Sequence, residues 1–307
     1  MAERSILVPE GLEGQRVDSA LSKLLGLSRT AAADICAEGG VQLSGQVVAK
    51  SDRVSAGERL DIEMPEPPRP LEVVPDPVPG MKVVHDEDSF VVVDKPVGVA
   101  AHPALGWKGR TVVGGLAAAG FRIATSGAPE RQGIVQRLDV GTSGLMVIAK
   151  SEYAYSVLKR AFKERTVEKT YHAVVQGLPD PVLGTIDAPI ARNHRHDGLY
   201  AVHSGGKNAI THYEVLEAHR RASLVEVHLE TGRTHQIRVH FSALKRPCVG
   251  DLPYGADPTL AKDLHLERQW LHAVKLGFHH PESNEWVEFE SGYPEDLQYA
   301  IDRIRTS

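Results

Sequence analysis

Gly133-Ile134-Val135-Gln136-Arg137-Leu138-Asp139-Val140-Gly141-Thr142-Ser143-Gly144 is the stretch from which the rest of the chain can be read. A short apolar run delivers Arg137 and Asp139 into a loop rich in glycine and hydroxyls, where backbone can approach a ligand closely. The same residues also suit a plain turn in which Asp139 caps backbone amides. Leu145 to Ala149 then forms an apolar run of strand length. Ser151 to Arg165 sets Ala154, Val157, Leu158, Ala161 and Phe162 on one helical face, and Tyr171, Ala173 and Val175 alternate as on a strand.

Toward the C-terminus, Ile210 to Leu216, Ser223 to Leu229, Leu271 to Phe278 and Trp286 to Phe289 read as further strands, and Pro294 to Arg305 as a closing helix. Toward the N-terminus, Met81 to His85 and Phe90 to Val93 flank the polar turn Asp86-Glu87-Asp88-Ser89. An α+β domain with a large mixed sheet accommodates this order. Between Pro65 and Pro79 stand seven of the nineteen prolines. Proline lacks an amide donor and fixes φ, so this segment is expected to be a stiff tether. Before it, Val17, Ala20, Leu21, Leu24 and Leu25 follow helical spacing up to Gly26, and Ser28 can cap a second helix through Cys36. Val41 to Leu43 and Val47-Val48 flank a Ser-Gly turn, and Arg59 to Met64 alternates as a strand. Domains are therefore expected at residues 1–64 and 80–307, with a linker at 65–79.

The 307 residues are 42% hydrophobic and 24% charged, the composition of an ordinary globular protein. No apolar run approaches the ~20 residues that span a bilayer. Met1 to Leu12 lacks the basic flank and apolar stretch of a secretory signal. Cys36 and Cys248 are too few for a disulfide framework or a four-thiolate zinc site, and a cytoplasmic location fits best. The net charge of −5 runs against a polyanionic partner, so any contact with nucleic acid must rest on local charge. Between Arg192 and Arg246, nine Lys or Arg face five acids, which fits a phosphate-binding surface or an ordinary mixed one.

Two further stretches carry chemistry: Glu168-Lys169-Thr170-Tyr171, and Thr231-Gly232-Arg233-Thr234-His235-Gln236-Ile237-Arg238-Val239-His240. With these motifs, and with Asp94-Lys95-Pro96-Val97-Gly98, His102-Pro103, Ala149-Lys150, Gly250-Asp251-Leu252-Pro253-Tyr254-Gly255 and Leu271-His272-Ala273, the sequence closely resembles the RluA/RluD family of pseudouridine synthases. That family isomerises uridine in structured RNA. One match would be weak, but these stand in order along nearly the whole chain. The N-terminal segment similarly resembles the ribosomal-protein-S4-like RNA-binding domain, through Arg16-Val17-Asp18, Leu21, Ser28-Arg29, Val41 and Ser44-Gly45. The resemblance implies an α+β pseudouridine synthase fold with a large mixed, mainly antiparallel sheet flanked by helices, preceded by a small α/β RNA-binding domain. Two departures stand out. Gln136 replaces the histidine usual before Arg-Leu-Asp; both side chains hydrogen-bond, but only imidazole titrates near neutral pH. Asp34 and Glu38 sit where positive charge would help the second N-terminal helix to grip phosphate.

Carried onto this chain, the resemblance implies that Asp139 starts the break between sugar C1′ and uracil N1. It can do so as a nucleophile at the anomeric carbon or as a base that opens elimination to a glycal. The resemblance also implies that Arg238 pairs with Asp139, favouring the carboxylate and fixing its direction; the plainer reading is a surface charge on a helix beginning near Arg233. Tyr171 is expected to stack on the uracil, since an ordinary phenol is a poor base for the C5 proton. A uridine in an RNA stack must be extruded to reach Asp139, and Arg137 can take the vacated space. Lys169, Arg233 and Lys245 are expected phosphate contacts, each equally readable as a solvated charge. Leu271 completes the expected substrate-binding set.

Isomerisation needs no redox change or external group, so no cofactor is expected. His194 with His196, and His235 with His240, raise the idea of a metal, but no His-Glu-x-x-His spacing or grouped carboxylate supports it and none is expected. The expected substrate is large-subunit ribosomal RNA, ahead of transfer RNA, met in ribosomal precursor particles by a monomeric enzyme. The competing readings are a catalytically idle RNA-binding or ribosome-assembly factor, motivated by Gln136 and the appended domain, and a metal-dependent hydrolase, resting on histidine count alone.

Overall fold

The computed structural model describes residues 2–64, 73–193, 196 and 198–306. The chain divides into two compact units, Met1–Arg69 and Pro70–Ser307. In the first, strands β1 (Ala2–Leu7), β2 (Val41–Leu43), β3 (Gln46–Val47) and β4 (Arg59–Met64) form an antiparallel sheet in the order β1-β4-β2-β3. Helix α1 (Val17–Leu25) ends where Gly26 turns left-handed at φ 68°, and α2 (Arg29–Ala37) starts where the Ser28 hydroxyl accepts from the Ala31 amide. Val17, Ala20 and Leu21 are buried against Ile35, Leu60 and Ile62. β1 carries no strong sequence signal; its pairing with β4 along Ala2↔Met64 to Leu7↔Arg59 makes it a strand.

Residues 65–72 of the expected linker lie outside the described residues. Its remainder does not stand free. Val73 and Val78 pack against the core of the larger unit, and the Asp76 amide donates to the Gly114 carbonyl at 3.1 Å. The extended segment is therefore shorter at this end than the prolines predict.

The larger unit is built on a nine-stranded sheet. Its strands are β5 (Lys82–Asp86), β6 (Phe90–Lys95), β7 (Ser143–Ala149), β8 (Glu168–Gln176), β9 (Leu183–Asp187), β12 (Ile210–Ala218), β13 (Ala222–Leu229), β14 (Leu271–His279) and β15 (Trp286–Glu290). The order is β5-β6-β7-β14-β8-β13-β12-β9, with β15 added to β14, while β10 (Ile190–Arg192) and β11 (Tyr200–Val202) form a separate pair. Among the described residues, five α-helices complete the unit: α3 (Val112–Ala118), α4 (Glu152–Glu164), α5 (Gln236–Ala243), α6 (Pro258–Asp263) and α7 (Glu295–Arg305).

Alternation along each strand clothes both faces of the sheet. Val91 and Val93 of β6 pack with Val112 and Leu116 of α3 and with Ile237 and Phe241 of α5. Their neighbours Phe90 and Val92 join Ala154 and Leu158 of α4. Farther along, Val174, Leu224 and Trp270 meet Leu297, Ala300 and Ile301 of α7.

The one parallel strand pair of this sheet among the described residues, β7 with β14, places His272 opposite Ser143 and Ala273 opposite Gly144. Gly144 has φ 115°, and a Cβ there would lie 2.3 Å from the Ala273 carbonyl oxygen. Only glycine fits. β7 thus starts at a fixed point, and the Asp139 loop feeds directly into it. Among the described residues no helix is long and apolar enough to cross a membrane.

Candidate active site

The loop carrying Asp139 is a tight turn, closed by the Thr142 amide donating to the Asp139 carbonyl at 3.0 Å. Side chains from around β14 brace it. Arg268, only 7% exposed, donates from Nη1 to the Gly141 carbonyl at 3.2 Å and to the Ser143 hydroxyl at 3.0 Å. Its other two nitrogens grip Asp296 at the start of α7 at 2.7 and 2.9 Å. Gln269 Nε2 donates to the Thr142 hydroxyl at 3.2 Å, and His272 Nδ1 lies 2.8 Å from the Ser143 hydroxyl. Burial pushes His272 down to about 4, so it is neutral in this brace.

Helix α5 brings the guanidinium. It begins at Gln236, not Arg233, because the Gln236 side-chain oxygen accepts from the Arg233 amide at 2.9 Å and the Thr231 hydroxyl at 2.8 Å. His235, in the left-handed region at φ 57°, precedes it. The start at Gln236 turns Arg238 inward, where it is buried, so the surface-charge reading fails. Its Nε and Nη2 donate to Asp251 at 2.7 and 2.9 Å, leaving Nη1 3.5 Å from Asp139 Oδ2. The expected pair with Asp139 is present, but Asp251 holds the tighter two-pronged bond. Burial works against the charge on Arg238, yet hydrogen bonding from Asp251 and the charges of Asp251 and Asp139 raise its pKa above the ordinary value. The Tyr254 ring lies 4.7 Å from the guanidinium carbon. His235 places Nδ1 2.8 Å from the Tyr254 hydroxyl and Nε2 3.9 Å from Asp139, and burial lowers its pKa.

Asp139, Arg238, Tyr171, Leu271, Arg137 and Arg233 all line one small pocket of about 70 Å³. Arg137, Tyr171 and Arg233 also line a larger cleft of about 590 Å³, which Lys169 lines as well. Lys245 lines neither. Tyr171 is buried, and burial together with the charge of Asp139 raises its phenol well above the ordinary value. Arg137 is exposed and hydrogen-bonds the Thr234 hydroxyl; Arg233 donates from Nε to the Asn208 carbonyl at 2.8 Å. Lys169 lies 5.8 Å over the Phe162 ring, with its pKa lowered by burial and by Arg165.

A family model described as RNA pseudouridylate synthase matches residues 89–243, a span that contains Asp139, Tyr171 and Arg238. An uncharacterized RNA pseudouridine synthase of Mycobacterium bovis is 60% identical over 305 residues, covering 99% of both chains. Ribosomal large subunit pseudouridine synthase D of Neisseria meningitidis serogroup B is 39% identical over 98% of this chain and 81% of its own length. The chain belongs to the RNA pseudouridine synthase family. Among solved structures, human RNA pseudouridylate synthase domain containing 1 superposes with a TM-score of 0.56 at 30% identity, over 74% of this chain and 96% of that one. Human RNA pseudouridylate synthase domain containing 4 gives 0.58 at 26% identity, over 73% and 92%. The RluA/RluD resemblance and the α+β fold therefore stand, and as an RNA pseudouridine synthase the protein is an isomerase acting on RNA.

Several residues of the candidate site had no role assigned from sequence. Asp251 and Tyr254 lay in a quoted motif, but nothing local says that they meet Arg238. Lys95 is fully buried beneath the Asp139 loop, donating to the carbonyls of Pro96 at 3.0 Å and Val99 at 2.8 Å, with that of Val140 at 3.5 Å. Burial pushes it down to about 7, against the pull of Asp139. Gln136 lines the larger cleft, and its Nε2 is buried without a hydrogen-bond partner among the described residues.

Most of the cleft's positive charge does not come from the basic stretch singled out in the sequence. Of the cations counted between Arg192 and Arg246, only Arg233 and Arg238 line these two cavities among the described residues; the rest come from Arg131 to Lys169. Among the described residues no group of three His, Cys, Asp or Glu could hold a metal, and His194 lies outside them. Both cysteines are buried free thiols.

Proposed function

We propose that this synthase isomerises uridine in large-subunit ribosomal RNA, with Asp139 breaking the bond between C1′ and N1. The observation that carries the reading is the shared pocket, in which Asp139 meets a guanidinium that Asp251 already holds in place, with Tyr171 across the same small cavity. A carboxylate steered in this way can attack C1′ or take a proton to open the glycal route. Tyr171 offers an aromatic face for the everted uracil and, with its pKa raised, stays a neutral phenol. Arg137, exposed at the mouth, fills the space the base leaves. Arg233 and Lys169 contact phosphate, and Leu271 packs on the base.

The ribosomal target is supported by the names of relatives such as the Neisseria meningitidis enzyme. The Met1–Arg69 unit acts as an S4-like RNA-binding domain that raises the effective concentration of substrate. Asp34 on its second helix and Glu38 just past the end of that helix are exposed, so its grip falls to residues such as Arg29. The enzyme works in the cytoplasm as a monomer on ribosomal precursor particles. Isomerisation leaves mass unchanged, so the test is chemical labelling of pseudouridine in purified transcripts. Label in large-subunit ribosomal RNA is expected; label confined to transfer RNA would overturn the assignment.

A further inference from the structure

The larger cleft holds more positive charge than the reaction at Asp139 requires. Arg131, Arg137, Lys159, Lys163, Arg165, Lys169 and Arg233 line it against one carboxylate, Glu230, in a chain whose net charge is −5. Three of these come from the end of α4. Lys159 and Lys163 are exposed one turn apart, a like-charge spacing that weakens an isolated helix, and neither has an acidic partner among the described residues. Arg165 closes the helix in the left-handed region at φ 63°. Glycine takes that conformation without strain and is the usual residue at such a stop; this chain places a guanidinium there, bonded to Glu230 at 3.0 Å on the cleft wall. The like-charged pair and the left-handed arginine each work against the helix's own stability. Both make sense if the rim meets a polyanion.

We propose that the RNA strand flanking the target uridine runs along the last two turns of α4, with its phosphates held by Lys159, Lys163 and Arg165. The inference rests on the RNA reading above and adds a second stretch of contact beyond the reacting nucleotide. RNA is favoured over an acidic protein because the cleft and the Asp139 pocket share Arg137, Tyr171, Leu229, Gly232 and Arg233, so one ligand fills both. Phe162, between the two lysines in sequence and also on the cleft wall, adds an apolar face of the kind that bases stack upon.

The test compares the full-length protein with the double variant Lys159→Gln/Lys163→Gln and with Arg165→Gly, using a large-subunit ribosomal RNA transcript. For the double variant, KM should rise about tenfold at constant kcat. The slope of log affinity against log salt should flatten by about 1.4, at about 0.7 for each single-strand phosphate no longer neutralised. Arg165→Gly should raise KM while leaving Tm equal or higher, because glycine relieves the left-handed residue; a merely structural arginine would lower Tm instead. The control Lys262→Gln/Arg303→Gln, outside the cleft, should change nothing. Unchanged KM and salt slope in both cleft variants would overturn the inference, even with wild-type pseudouridine formation intact. Absence of pseudouridine from the parent enzyme would instead sink the functional reading itself.

Discussion

Replacing Asp251 with Asn tests how the site is held together. The carboxylate has no exposed side-chain surface and bonds the buried Arg238 through both oxygens at 2.7 and 2.9 Å. Removing one partner of a buried pair costs ~3–5 kcal/mol, because the other charge is left uncompensated. Asparagine keeps one acceptor for the guanidinium, so the lower end, about 3 kcal/mol, applies. For a unit of this size that corresponds to a fall in Tm of roughly 6–12 °C, followed by circular dichroism. Held by one bond instead of two, Arg238 turns toward Asp139, and a shift of about 1 Å in the reacting group lowers turnover on the order of a hundredfold. Adding Arg238→Met to Asp251→Asn separates the two effects. With the buried guanidinium gone, part of the stability returns while turnover stays low. A single Asp251→Asn variant within about 1 kcal/mol of the parent and within a few-fold in turnover would refute this role for the clamp.

Gly144→Ala drives a methyl group into the Ala273 carbonyl at the β7–β14 contact, and should lower stability by at least about 3 kcal/mol, measured by urea unfolding. Hydrogen bonding from Arg305 holds Glu217 down to about 2, with burial opposing and His219 assisting, against an ordinary 4.5. Because the folded value is the lower one, the contribution is present above pH 4.5 and fades as pH falls toward 2. Glu217→Gln should therefore melt below the parent at pH 7, with the gap narrowing between about pH 5 and pH 2 in a series of thermal scans.

Elements with a strong local period were legible in the sequence. α4 and α7 lie within a residue of their expected bounds, since their apolar faces repeat at helical spacing and face buried clusters. What escaped was set by partners distant in sequence. β1 and β9 are strands because β4 and β12 pair with them. α3 contains Gly114 and Gly115, which weaken any helical signal but let Val74 and Val78 pack directly on it. The motifs brought Asp139, Tyr171 and Arg238 to notice. They could not say that Arg238 gives its two-pronged bond to Asp251, because that depends on where α5 begins. The cleft charge was hidden for the same reason: Arg131, Lys163 and Arg233 are neighbours only after the sheet has formed.

The most direct measurement is pseudouridine labelling of a large-subunit ribosomal RNA transcript incubated with the Asp139→Ala variant, at an enzyme concentration where the parent reaches completion. The side chain is 22% exposed and its bond to Arg238 is long at 3.5 Å, so the variant should keep its fold and its affinity for RNA. If Asp139 is the group that breaks the bond between C1′ and N1, this variant forms no pseudouridine. Label at the level of the parent enzyme would contradict that role.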